Sequence, residues 1–105
     1  MAAPLPQIAA LMERINASSG NTLKVYTSTD GDELYISVGN NEYIEVNWSE
    51  SETVGRGITW PARYVISVAA YAPHGGESSR TDVGEVYEPD AALALVRYVI
   101  TLAGV

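Results

Sequence analysis

The chain has 105 residues, of which 47% are hydrophobic and 18% are charged, a composition typical of one folded domain rather than a disordered segment. It has no cysteine, which excludes disulfides, thiolate metal sites and a cysteine nucleophile. The net charge of −7 disfavours direct binding to nucleic acid or to an anionic membrane, because both are polyanions, and it favours a basic partner.

The chain's organisation is expected to be simple. The N-terminus lacks the basic segment of a signal peptide, and no apolar run is long enough to cross a bilayer. There are no internal repeats and no linker that would separate two units. We therefore expect a single domain over residues 1–105, located in the cytoplasm, with no membrane contact.

Apolar residues recur at spacings of three and four near the N-terminus, which predicts a helix over residues 4–17. Gly20 is expected to end it in the left-handed cap conformation. Pro89 opens a second predicted helix, whose body over residues 91–103 is apolar nearly all round. We expect this helix to be buried on more than one side, either between the sheet and the first helix or in a homodimer.

Residues 23–48 read as three strands joined by two tight turns. Asp30-Gly31 favours a two-residue type I′ turn, which sets Tyr26 opposite Tyr35. Matching of apolar faces then favours a three-residue second loop over residues 39–41, with Ile36 opposite Ile44. The remaining face of this predicted meander holds Lys24, Tyr26, Glu33, Tyr35, Tyr43, Glu45 and Asn47.

The second half of the chain predicts further strands. Residues 62–72 form the longest strand candidate and residues 81–87 a short one, while residues 49–61 and 73–80 are polar and glycine-containing and predict loops. The predicted fold class is α+β: an antiparallel sheet of about five strands, flanked by an N-terminal and a C-terminal helix that pack on one face.

No residues with the pattern of a catalytic or metal site stand out. His74 is the only histidine and lies in a polar loop, and no serine occupies a Gly-x-Ser-x-Gly elbow. The run from Asp30 to Glu33 resembles the start of a calcium loop but lacks the glycine and glutamate required further on. One histidine without cysteine disfavours zinc. We expect no enzyme activity, no metal and no cofactor.

The most distinctive feature is an acidic stretch between Lys24 and Arg56, which holds seven acids and no base. It is either an ordinary solvated surface with packed tyrosines, or a surface that binds a partner through carboxylates and phenols. In the second case we expect an uncovered plane with no cation to neutralise it. The candidate partner-binding residues are Tyr26, Asp30, Asp32, Glu33, Tyr35, Glu42, Tyr43, Glu45, Glu50 and Glu52.

In size and charge the chain resembles the small phage-encoded proteins that block CRISPR or restriction complexes, although no motif assigns a family. The resemblance implies an inhibitor whose carboxylates take the place of phosphates in a basic protein or nucleoprotein complex. An immunity protein that neutralises a nuclease toxin would use the same physics. A homodimeric structural or assembly module, formed through the last helix, is the remaining alternative.

Overall fold

A computed structural model describes residues 3–104, which form two helices and seven strands. In chain order they are α1 (Pro6–Ser19), β1 (Val25–Thr27), β2 (Glu33–Gly39), β3 (Glu42–Ser49), β4 (Glu52–Val54), β5 (Ile58–Trp60), β6 (Arg63–Tyr71), β7 (Glu77–Val86) and α2 (Pro89–Ala103). Five strands form an antiparallel sheet in the order β1-β2-β3-β6-β7, and β4 pairs with β5 in a separate ribbon. The predicted α+β class is confirmed. The predicted domain of residues 1–105 includes Met1, Ala2 and Val105, which lie outside the described residues.

The predicted register of the first three strands is confirmed. Tyr26 pairs with Tyr35, and Ile36 pairs with Ile44. This register places the apolar side chains of β2 and β3 on the same face of the sheet, where they are shielded from water. The hydrophobic pattern therefore fixes which residues face the helices.

Both turns of the meander differ from the predicted geometry. Among the described residues of the first turn only Gly31 has a positive φ, of 78°, so the turn is not type I′, which requires two such residues. In the second, the extra residue is absorbed by a bulge at Val38, and Asn40-Asn41 form a two-residue turn with φ of 55° and 60°. The bulge preserves the predicted pairing, because one added residue restores the face alternation.

Gly31 also joins the N-terminal segment to the sheet. Its carbonyl oxygen accepts a hydrogen bond from the Leu5 amide at 2.9 Å. A Cβ at this position would lie 2.5 Å from the carbonyl oxygen of Ala3. Glycine is needed here both for its backbone conformation and for this close approach.

The core lies between one face of the sheet and the two helices. Its fully buried members include the α1 stripe, the inward residues of β2, β3 and β6, and the α2 stripe: Ile8, Leu11, Ile15, Leu34, Ile36, Ile44, Val46, Tyr64, Ile66, Ala92 and Val96. The Tyr64 hydroxyl donates to the Gln7 carbonyl at 2.9 Å, so this large side chain is buried with its polar end satisfied. Both helices pack on the predicted face.

Within one chain the second helix is buried on one side only, so the expectation that it lies between the sheet and the first helix is wrong, whereas its burial in a homodimer stays a prediction. Ala92, Val96 and Val99 face the core, whereas Tyr98 and Leu102 are 61% and 68% exposed. Nor does α2 separate the sheet from α1. Both helices contribute to a single layer, in which Arg14 of α1 pairs with Asp90 of α2 at 2.9 Å.

Two predicted loops contain strands. Residues 49–61 form the β4–β5 hairpin, and β7 begins at Glu77, within the predicted loop 73–80. The polar composition of these segments is explained by exposure, since every residue of β4 and β5 and most of β7 is accessible to solvent. An exposed ribbon lacks the apolar alternation that identifies a half-buried strand.

Candidate partner-binding face

Neither helix covers the opposite face of the sheet, although Glu45, Ser67 and Ala69 at its centre are buried by neighbouring side chains. Strand alternation and register assign to it Tyr26, Glu33, Tyr35, Ser37, Tyr43, Glu45, Asn47, Arg63, Val65, Ser67, Ala69, Tyr71, Glu77, Arg80, Asp82 and Glu85. We call this surface the open face. It contains the cross-strand row of Tyr26, Tyr35 and Glu45 expected from the sequence, and the row continues through Ser67 to Asp82.

A groove of about 420 Å³ crosses one end of the open face. We call it the tyrosine groove, and it is lined by Tyr26, Tyr35, Tyr43 and Tyr71 together with Asn41, Ala72, Pro73 and Gly75. The rings of Tyr43 and Tyr71 meet edge to face, with centroids 5.7 Å apart and planes at 77°. Tyr26 is 51% exposed at the outer edge of the sheet, so the groove opens to solvent.

Two of the groove's phenols donate to carboxylates. The Tyr35 hydroxyl donates to Glu33, and the Tyr71 hydroxyl donates to Glu45. Burial, followed by the bond to Glu33, raises the pKa of Tyr35 well above its usual range. The bond to Glu45, followed by burial, raises the pKa of Tyr71 to about 12. Both phenols therefore remain neutral at physiological pH.

Glu45 is not a free surface acid. Its side chain is only 3% exposed, and Arg80 of β7 reaches across β6 to pair with it at 2.7 Å. Arg80 also donates to Glu77 and to the hydroxyl of Ser67, and its pKa is raised by the bonds to Glu77 and Glu45. The expectation that no cation neutralises this plane is therefore wrong. No local sequence pattern indicates this ion pair, because Arg80 lies 35 residues from Glu45.

A second arginine, Arg63, is buried and joins the β4–β5 ribbon to the sheet. Arg63, with a side chain 7% exposed, pairs with Glu85 at 2.8 Å and with Glu52 at 3.0 Å. Its guanidinium carbon lies 3.7 Å from the ring centroid of Trp60, a cation–π contact. Glu52, a candidate for partner binding, thus already has an intramolecular cation.

The remaining candidate acids lie around the open face rather than on it. Asp30 and Asp32 occupy the β1–β2 turn, and Glu50 follows β3, where it accepts a hydrogen bond from the Trp48 indole at 3.1 Å. Glu42 begins β3 on the same side as Ile44 and is exposed at the strand end. None of these four acids forms an ion pair with a residue in the described range 3–104.

Sequence reasoning missed several members of the open face. Tyr71, Arg80 and Asp82 reach it through the pairing of β6 with β3 and β7. Alternation along the strand separates Tyr71 from the core residues Tyr64 and Ile66, but only the pairing of β6 with β3 brings it to the open face. Arg80 lies in a segment that resembles a loop, and the face that Asp82 occupies in the predicted strand depends on the bulge in the pairing of β7 with β6.

Residues 3–104 contain no cluster of His, Asp and Glu suited to hold a metal ion. His74 is exposed beside the groove, in the loop between β6 and β7. Neither α1 nor α2 is long and apolar enough to span a membrane. Comparison with protein-family models, curated proteins and solved structures found no match.

Proposed function

We propose that the protein is a non-enzymatic acidic inhibitor that binds a basic, nucleic-acid-binding partner through the open face. In this function it is of the phage-encoded type that blocks CRISPR or restriction complexes. The site of action would be the cytoplasm of the host cell, where such complexes meet nucleic acid.

The observation that carries the proposal is the charge balance of the open face. Together with the adjoining ribbon it holds six carboxylates and four bases: Glu33, Glu45, Glu52, Glu77, Asp82 and Glu85, with Lys24, Arg56, Arg63 and Arg80. Arg63 and Arg80 are each held between two carboxylates, so neither is available to an outside anion. The surface therefore presents an excess of negative charge despite the cations within it.

Glu33 and Asp82 carry this excess most directly. Neither forms an ion pair with a residue of the described chain, and Asp82 is exposed. Together with the surrounding Asp30, Glu42 and Glu50, they can present carboxylates to arginines that otherwise bind phosphates. Such a surface would accelerate association with a basic partner in a salt-dependent way.

The partner class includes nuclease toxins as well as defence complexes, because both expose basic surfaces to nucleic acid. An immunity protein would use the same open face. The partner recovered distinguishes the two, since a toxin encoded beside this protein identifies immunity and a host defence complex identifies anti-defence inhibition.

One observation favours a second candidate function, that of a homodimeric assembly module. Along α2, Tyr98 and Leu102 are exposed one turn apart, and Leu95 is only half-buried. These residues form an apolar stripe with the three- and four-residue spacing of helix pairs. In this case the acids serve solubility alone, and the protein is a dimer at micromolar concentration that captures no basic protein.

The experiment that tests the proposal is capture from a bacterial lysate on the immobilised protein, with and without added duplex DNA. We expect recovery of a basic nucleic-acid-binding protein, reduced by DNA and by rising salt concentration. Recovery that is unchanged by DNA would contradict the proposed mode of binding. Light scattering on the same preparation tests the dimer.

A further inference from the structure

We infer that the tyrosine groove is a receptor for the guanidinium group of an arginine side chain on the partner. The inference deepens the proposed function and rests on it for the biological source of the arginine. The binding chemistry itself depends only on the groove, so it can be measured without the partner.

The groove has dimensions suited to one side chain. At about 420 Å³ it lies near the lower end of the range of small-ligand sites, which is roughly 300–1,000 Å³. Its walls are the phenol rings of four tyrosines, one from each of β1, β2, β3 and β6. Pro73 and Gly75 of the β6–β7 loop close one side. A planar guanidinium can stack on such ring faces, which attract cations through their quadrupole.

The hydrogen bonds of the phenols favour a positively charged ligand over a negatively charged one. Tyr35 and Tyr71 use their hydroxyl protons on Glu33 and Glu45, so only oxygen lone pairs remain to face the groove. Lone pairs accept hydrogen bonds and repel anions. The guanidinium group suits them because it has five N–H donors and no acceptor.

The same two bonds strengthen the attraction for a cation. A phenol that donates to a carboxylate shifts electron density toward its oxygen and ring, which makes the ring face more negative. No lysine or arginine lines the groove in the described residues. Arg80, which shares Glu45 with the Tyr71 hydroxyl, is occupied by Glu45 and Glu77, so it does not compete for the site.

An uncharged apolar segment, such as a proline-rich peptide, is the alternative occupant of an aromatic groove. The test therefore compares two peptides with acetylated N-termini and amidated C-termini. One has arginine between glycines, and the other has citrulline at the same position. Citrulline keeps the shape and length of arginine but has a carbonyl oxygen in place of the charged nitrogen. Binding is followed by titration of the tyrosine ring resonances in NMR spectra.

We expect the arginine peptide to shift the ring resonances of Tyr26 and Tyr43 and to bind about tenfold more tightly than the citrulline peptide, since the ring faces attract the charged guanidinium and not the neutral urea group. Equal affinity of the two peptides would overturn the inference and identify an apolar groove. Shifts at other tyrosines alone would overturn it as well.

Tyr26→Leu provides a variant that removes a ring while keeping an apolar side chain. Tyr26 is half exposed, and no side-chain hydrogen bond is assigned to its hydroxyl, so the fold should tolerate the change. We expect the arginine peptide to bind this variant at least about threefold more weakly. The matched control is Tyr98→Leu on α2, which should leave affinity unchanged. Equal affinity of the arginine peptide for wild type and Tyr26→Leu would overturn the inference, because the cation would then not bind against Tyr26.

Failure of this inference and failure of the proposed function give different results. If the two peptides bind equally but a DNA-displaceable basic protein is captured, the groove inference falls and the proposed function stands. If the arginine peptide is preferred but no basic partner is captured, the proposed function falls and the groove remains a guanidinium site.

Discussion

Arg80 and Glu45 form an ion pair at 2.7 Å across the width of β6, with Glu45 buried and Arg80 34% exposed. The pair joins the edge strand β7 to the centre of the sheet and also fixes Tyr71, whose hydroxyl donates to the same carboxylate. One buried acid therefore orients a wall of the tyrosine groove. This contact neutralises the centre of the open face.

Loss of Arg80 should be more damaging than loss of the pair. Arg80→Met leaves Glu45 buried without its cation, which we expect to cost about 2–4 kcal/mol of unfolding free energy. Adding Glu45→Gln removes the unpaired charge and should recover at least half of that loss. Urea unfolding of the single and double variants measures both values. A double variant less stable than Arg80→Met would contradict this account of the pair.

The phenol–carboxylate bonds predict a loss of stability in alkali. The folded-state pKa values of Tyr35 and Tyr71 lie above the ordinary value of about 10, so the folded chain retains protons that the unfolded chain releases. This contribution to stability is fully present below about pH 10 and decreases as the pH rises toward the folded pKa of Tyr71, about 12.

Urea unfolding at several values between about pH 9 and pH 12 measures this dependence. The variant Tyr35→Phe/Tyr71→Phe should show a shallower fall in stability, and Tyr98→Phe, on the exposed side of α2, should behave as wild type. Identical slopes for wild type and the double variant would show that these phenols have no raised pKa.

Gly31→Ala should destabilise the fold more than Gly57→Ala, because the two glycines have a similar φ but only Gly31 lies against another segment of the chain. Gly31 has φ of 78° and meets Ala3, whereas Gly57 in the β4–β5 turn has φ of 83° and nothing within 4 Å of its Cβ position. Gly57→Ala carries only the left-handed strain of about 1–2 kcal/mol. Gly31→Ala adds the clash and should cost at least about 1 kcal/mol more. Equal urea midpoints for the two variants would contradict this prediction, because they would mean that the N-terminal segment moves aside with no loss of stability.

Sequence pattern predicted the fold where burial produces periodicity. The register of Tyr26 with Tyr35 and of Ile36 with Ile44 followed from one apolar face and the spacing of the turns. Gly20 and Pro89 occupy the predicted cap and first-turn positions. These features are local, so neighbouring residues are enough to determine them.

The candidate site was predicted less completely, because its charges are paired across long sequence separations. The Arg63 and Arg80 clusters join β3, β4, β6 and β7, and no local pattern in the chain predicts which carboxylate an arginine will reach. The burial of Glu45 also depends on the first residues of β7, 77–80, which read as a loop. The tyrosines of the first meander were placed on the correct face, whereas Tyr71 and the groove required the pairing of β6 with β3.

The most direct measurement of the central claim is the affinity for the captured basic protein after charge reversal on each side of the sheet. Glu33→Lys/Asp82→Lys alters the open face, and Glu13→Lys/Glu88→Lys makes the same change in net charge at exposed positions on α1 and immediately before α2. Unfolding curves confirm that both variants are folded.

We expect the open-face variant to bind at least about tenfold more weakly than wild type, because like charges facing each other across an interface cost on the order of several kcal/mol. The helix-side variant should keep its affinity within about threefold, since it changes only the overall charge. Equal affinity of the open-face variant and wild type, or an equal loss in both variants, would contradict binding through the open face.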